Sequence, residues 1–215
     1  MRFPPTVTHE LSGWTLLWAE LAPGAGDPDA LAALRRDAAA AARAAYAVEQ
    51  LAAHPTVAAV RKLFRAAGCD PTRYRPASEA LLRRVLKGEE LPPIGPQVDL
   101  NNCLSLELCV PACVMDTRAL QPPFTLRAGR PGESMTSMRG PFDLAGKPTL
   151  VDAAGPFGTP ITDDERVKVT AATASVWLVA YLPAGVVAAD AAAAALRRLA
   201  ARGGLAIAAT AATPG

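Results

Sequence analysis

The stretch Val98 to Asp116, VDLNNCLSLELCVPACVMD, sets Asp99, Asp116, the adjacent Asn101 and Asn102, and three of the four cysteines of the chain into an otherwise apolar run. Two kinds of chemistry use such residues: a cysteine-lined metal or redox site, or the wall of a pocket whose polar groups meet a ligand. Cys103, Cys109 and Cys113 lack the paired C-x-x-C spacing of a structural zinc site, and the two histidines, His9 and His54, lie far upstream. No metal is expected, and the plainest role for these cysteines is that of small core residues. On one helix Cys109 and Cys113 would share a face, but Pro111 between them disfavours that helix. A nucleophile–histidine arrangement has no cue near either histidine. Ester chemistry without a protein base remains open if a substrate supplies its own proton acceptor and backbone amides hold the oxyanion.

Two further stretches carry polar or conformational signals. GPFGTPITDDERVKVT is a Gly/Pro turn followed by three acids and Arg166, in which Gly155 and Gly158 permit close backbone approach to a ligand. Neither it nor GRPGE, from Gly129 to Glu133, matches a phosphate loop or a dinucleotide fingerprint, so no nucleotide cofactor is implied. Between residues 61 and 87, Arg61, Lys62, Arg65, Arg73, Arg75, Arg83, Arg84 and Lys87 face only Asp70 and Glu79, in a chain of net charge +2. Such a run is either a pair of solvated helix faces or a patch that meets phosphates.

The 215 residues suit a single domain over 1–215, and the alanine-rich composition with 5% aromatics predicts a thin core. The N-terminus lacks the uninterrupted apolar segment of a secretory signal, and nothing is apolar enough to span a membrane. The four cysteines are then reduced thiols in a cytoplasm.

The elements that must position these residues read as follows. TVTHELSGWTLLWAEL alternates as a half-buried strand, with Trp14 and Trp18 in the core. GAGDPDALAALRRDAAAAARAAYAVEQLAAHP is one long helix or two, and together with the first strand it forms an N-terminal layer over 1–54. A helix with Val57, Val60, Leu63 and Phe64 on one face ends at Gly68, and a second follows with Ser78 as its cap. VDLNNCLSLELCVP reads as helix up to Pro111. From Phe124 onward FTLRAG, PTLVDAAGPFG, RVKVTAAT and SVWLVAYLP read as strands, and a helix and last strand fill 186–215. The class is α+β, with mixed or antiparallel sheets covered by helices.

The block VRKLFRAAGCDPTRYRPASEALLRRVLKGEELPPIGPQVDLNNCLSLELCVPACVMD, with its Arg-rich helix, G-x-x-P turn, Pro-Ser helix start, Leu-Pro turn and Val-Asp-x-x-Asn, resembles the free-standing form of the B3/B4 domain family, which also occurs in the beta subunit of bacterial phenylalanyl-tRNA synthetase. The resemblance continues through DDERVKVT and TASVWLV and covers roughly residues 55–185. It implies a B3/B4-like fold and a pocket that, in the synthetase, hydrolyses wrongly charged tRNA. The synthetase's Thr-Asn pair falls on Asn101 and Asn102, its histidine on Cys113, and its hydroxyl-reading glutamate on Val179 or Ala180. On this resemblance Asn101, Asn102 and Cys113 are the candidate catalytic residues, and Asp99, Cys103, Asp116, Gly155, Gly158 and Val179 line the pocket. The eight basic residues from Arg61 to Lys87 would meet tRNA. The implied function is hydrolysis of a mischarged aminoacyl ester in trans, or binding of tRNA or a small amino-acid-like molecule without chemistry. With neither histidine nor glutamate in place, the pocket would suit a small or apolar side chain. The ligase motifs are absent, so the chain is not expected to charge tRNA.

Overall fold

A computed structural model describes residues 2–22, 24 and 26–215; Ala25, within the start signal of the first helix, lies outside the described residues. Two strands open the chain, β1 (Val7–His9) and β2 (Trp14–Leu21), followed by the helices α1 (Pro28–Ala45), α2 (Pro55–Ala67), α3 (Ala77–Leu86) and α4 (Pro96–Leu108). Then come β3 (Ala112–Asp116), β4 (Phe124–Ala128), β5 (Ser134–Ser137), β6 (Gly140–Asp143), β7 (Pro148–Asp152), β8 (Gly155–Gly158) and β9 (Val176–Pro183), and the chain closes with α5 (Ala189–Arg202) and β10 (Ile207–Pro214). The class is α+β, as the order of sequence signals implies.

The strands form an antiparallel sheet in the order β10-β2-β9-β3 and a mixed sheet in the order β1-β4-β7-β8, in which β1 and β4 run parallel. Period-2 alternation divides β2 and β9 between two cores. Leu17, Ala19, Leu21, Leu178, Ala180 and Leu182 face the helical layer, against Leu34, Leu82, Leu100, Leu104, Leu196 and Leu199. Trp14, Leu16, Trp18, Trp177, Val179 and Tyr181 face the other way, against Phe124, Leu126, Leu150 and Phe157 of the mixed sheet and Phe64 of α2. All eight residues of β9 are therefore buried. The few aromatics are concentrated in the second core, where Trp18, Phe124 and Trp177 pack with centroids 6.0 to 6.5 Å apart. Only the alanine-rich helical layer is thin in the expected sense.

Gly68 ends α2 with φ 98°, as its position predicts. Ser78 does not cap α3: Pro76 holds that place, and the Ser78 hydroxyl instead donates to the carbonyl of Cys109 at 3.2 Å. That bond fixes the turn from α4 into β3, which Cys109 makes in the left-handed region at φ 57°. The run RVKVTAAT is not a strand. The Asp164 carboxylate accepts from the Arg166 amide at 2.8 Å and winds Glu165–Val167 into a single 3-10 turn. The β5–β6 hairpin had no counterpart in the sequence reading. Among the described residues no helix is long and apolar enough to cross a membrane.

Candidate functional site

The architecture distributes the sequence-derived candidates over two faces of the antiparallel sheet. Asn101, Asn102 and Cys103 belong to α4 and the helical layer, where Cys103 is fully buried among leucines. Consecutive helical positions point about 100° apart, so the two asparagines do not act as a pair: Asn101 is buried, with an unpartnered Oδ1, and Asn102 only partly so. Asp99 pairs with Arg35 and accepts from the amides of Ile94 and Gly95 at 3.0 and 3.4 Å, which braces the loop before α4. Asp116 is held by Arg118 at 2.8 Å and by the Thr173 hydroxyl at 3.0 Å. The hydrogen bond from Arg118 above all, with those from the Arg118 amide and the Thr173 hydroxyl, keeps its carboxyl below the usual range. Gly155, at φ 120°, lies at the start of β8 with open space beside it.

Cys113, Gly158 and Val179 are on the opposite face, in the core between the sheets. Cys113 and Val179 are register partners of β3 and β9. Here the structure adds two residues that the sequence reading left out. Asp163 bridges back to Gly158 from the loop after β8, and Tyr181 lies two residues beyond Val179 on the same face of β9. A β-carbon built on Gly158 would come within 3.0 Å of Asp163 Oδ1 and 3.6 Å of the Tyr181 hydroxyl, so both oxygens converge over this glycine. Both oxygens are sealed from solvent without a hydrogen-bond partner, although Asp163 as a whole residue is only partly buried. Burial pushes the Asp163 carboxyl up to about 7 and raises the Cys113 thiol and Tyr181 phenol well above their ordinary ranges. The cluster thus offers a proton acceptor working near neutrality, a neutral phenol donor and a neutral thiol, the donor set of general acid–base chemistry. A thiolate nucleophile is disfavoured. Asp163 brings a carboxylate to this cluster from a different element than Val179 or Ala180, on which the family resemblance places the synthetase's glutamate.

The basic run is also reorganised. Arg61, Arg75 and Arg83 surround the buried carboxylate of Glu79 at 2.9, 3.6 and 3.0 Å, and Arg84 pairs with Glu89 at 2.9 Å. Arg73 stacks over Tyr74 at 5.1 Å. Lys62, Arg65 and Lys87 stand outside these pairs and are the cations with most freedom to meet an anion.

Cys69, Cys103, Cys109 and Cys113 are all buried free thiols, divided between the two cores. Burial raises Cys69 to about 11 and Cys103 to about 12. Thiol titration should therefore find four groups in denaturant and almost none reacting quickly in the native protein at pH 7. Stoichiometric zinc by elemental analysis, or fewer than four thiols, would contradict this.

An α+β fold with a polar cluster closed between its two sheets is thus the class of protein. A family model described as the B3/4 domain matches residues 59–202, and the chain belongs to the B3/4 domain family. Among solved structures it is similar to an N-terminal fragment of the phenylalanyl-tRNA synthetase beta-subunit from Pyrococcus horikoshii, with 13% identity and a TM-score of 0.49. That match covers 100% of this chain and 55% of the other, so the chain spans about half the length of that fragment. No curated protein matches it.

Proposed function

We propose that this chain binds aminoacyl-tRNA and hydrolyses a mischarged aminoacyl ester in trans, with Asp163 as the base. The observation that supports this reading is the pair of buried, unpartnered oxygens of Asp163 and Tyr181 above Gly158. Leaving such groups unpaired costs about 1–3 kcal/mol each, a burden that is retained where the groups serve a ligand. In the proposed step Asp163 takes a proton from water as the water oxygen bonds to the ester carbonyl carbon. The Tyr181 hydroxyl donates to the carbonyl oxygen as it gains charge. When the tetrahedral intermediate collapses, the ester C–O bond breaks and Asp163 returns its proton to the departing ribose oxygen. Cys113 packs beside both groups and takes no part in bond making. Asn101 and Asn102, catalytic by resemblance, are proposed to support α4 rather than the reacting atoms.

A second reading, a B3/4 module that binds tRNA without chemistry, is favoured by the complete enclosure of those same oxygens. The two separate in one assay. Incubated with a panel of mischarged tRNAs, a hydrolase frees the amino acid, whereas a binder retards the RNA in a gel and leaves the ester intact.

For the RNA contact, Lys62, Arg65 and Lys87 are the proposed phosphate ligands. Three such contacts predict that tRNA affinity falls roughly 40-fold between about 50 and 200 mM salt. Alanine at all three should flatten that dependence. If binding is absent at low salt, or indifferent to the triple substitution, the run is a solvated face.

A further inference from the structure

We propose that Arg166 is the positioning residue of the site: it fixes the loop that carries Asp163, acting through Asp152 and two backbone carbonyls. The proposal rests on the reading of Asp163 as the working base, but its geometry stands apart from that reading.

Asp163 lies outside the named strands, in the loop from Thr159 to Asp164, where an isolated bridge to Gly158 sets its carboxyl against residues of three strands: Gly158 of β8, Cys113 of β3 and Tyr181 of β9. On its N-terminal side the loop is closed by Thr159, whose hydroxyl donates to the Thr162 carbonyl at 2.7 Å and accepts from the amides of Ile161 and Thr162. On its C-terminal side the loop is bridged at Asp163 to Gly158 and at Asp164 to Ser137, the Asp164 amide donates to the Phe157 carbonyl at 3.0 Å, and beyond these the side-chain anchor is Arg166. The guanidinium forks onto both oxygens of Asp152, at 2.8 and 3.2 Å, and donates to the carbonyls of Ala119 at 2.5 Å and Gly155 at 3.1 Å. Asp152, whose side chain is 0% exposed, is itself held by the amides of Gln121 and Ala154 at 2.8 and 2.9 Å. Arg166 therefore ties the loop to the ends of β7 and β8 and to the turn before β4. Asp164 supplies a second tie, accepting from the Thr136 amide of β5 at 3.0 Å.

Only an arginine makes this arrangement, because four acceptors lying around one planar fork match the guanidinium and a single ammonium cannot serve them all. Arg166 lies three positions beyond Asp163. The bridges at Asp163 and Asp164 limit how far a released loop can move, so the expected shift is small, but a reacting group tolerates little. A misplacement of about 1 Å at a reacting group costs roughly a hundredfold in rate.

The test separates this role from a merely stabilising ion pair. The Asp163 carboxyl carbon is followed by NMR in 13C-aspartate-labelled protein as pH is varied, with the signal assigned by its loss in Asp163→Asn. The ionisable groups facing it are Cys113 on β3 and Tyr181 on β9. The wild-type midpoint is expected at about 7. In Arg166→Lys, which keeps the charge and loses the fork, it is expected to fall by a unit or more toward the ordinary carboxylate range as the loop loosens and water reaches Asp163. In the same variant kcat for ester hydrolysis should fall about a hundredfold, with KM little changed. An unchanged midpoint in a folded Arg166→Lys protein overturns the proposal. Should that variant not fold, Asp152→Asn, which removes the charged partner and keeps its shape, is held to the same criterion. If the midpoint falls but wild type cleaves no ester, the positioning role stands and the hydrolase reading fails. If wild type is active and the midpoint stays, only the positioning role fails.

Discussion

Asp163→Asn is expected to make the protein more stable above pH 7 while removing its hydrolytic activity. The carboxyl titrates at about 7 in the folded chain against 3.8 for an ordinary aspartate, because burial disfavours its charged form. Between these two values the unfolded chain releases the proton and the folded chain keeps it. Stability is therefore fully present below about pH 4 and is lost as pH rises toward 7. Three units correspond to about 4 kcal/mol. An asparagine keeps the shape without the ionisation, so at about pH 8 the variant should recover most of that amount in denaturant unfolding, and at about pH 4 the two proteins should coincide. Loss of a general base should lower turnover by about 10²–10⁴. A gain in stability coupled to a loss of activity is the signature of a group retained for function rather than for folding.

The second large effect falls on Glu79. Its carboxylate is 1% exposed and balances Arg61, Arg75 and Arg83, joining α2, the turn after it and α3. Glu79→Gln leaves three guanidinium groups around a neutral amide. Removing one partner of a buried ion pair costs about 3–5 kcal/mol, and urea unfolding of Glu79→Gln should show a loss of that order. By contrast Arg84→Ala, which breaks only the exposed pair with Glu89, should lie within about 1 kcal/mol of wild type. Equal effects of the two substitutions would show that the Glu79 cluster is no more than a surface network.

These two residues also show what a sequence discloses. Much of the fold was legible because its signals are local: the alternation around Trp14 and Trp18, the stop at Gly68, the helix ending before Pro111 and the apolar run of β9. The β5–β6 hairpin was not, because GESMTSMRGPFD is polar and its two-residue turn, Met138–Arg139, lacks the Asn-Gly or Asp-Gly signal of a hairpin. The eight basic residues were legible as charge, but only the fold brings Arg61, Arg75 and Arg83 onto one glutamate. Gly158 was legible as part of a Gly/Pro turn that permits close approach, and Cys113 gained a candidate role only from the family resemblance. Asp163 was hidden in TDDER, where three acids in a row look solvated and only the Gly158 bridge turns one of them inward. Tyr181 could have been found, since a strand repeats its face every two residues and Val179 had already marked that face. The pairing of Asn101 and Asn102 failed for the complementary reason: on α4 neighbouring residues diverge.

The central claim, that Asp163 acts as the base of an aminoacyl ester hydrolase, is tested most directly by the pH dependence of kcat/KM on the best substrate of a mischarged tRNA panel, for wild type and Asp163→Asn. The wild-type rate should climb with pH and level off above about 7, where the carboxyl is ionised, and the variant should lie about 10²–10⁴ lower. A wild-type profile flat between pH 5 and 8, a variant that retains the activity, or a wild-type protein that spares every ester in the panel would contradict it.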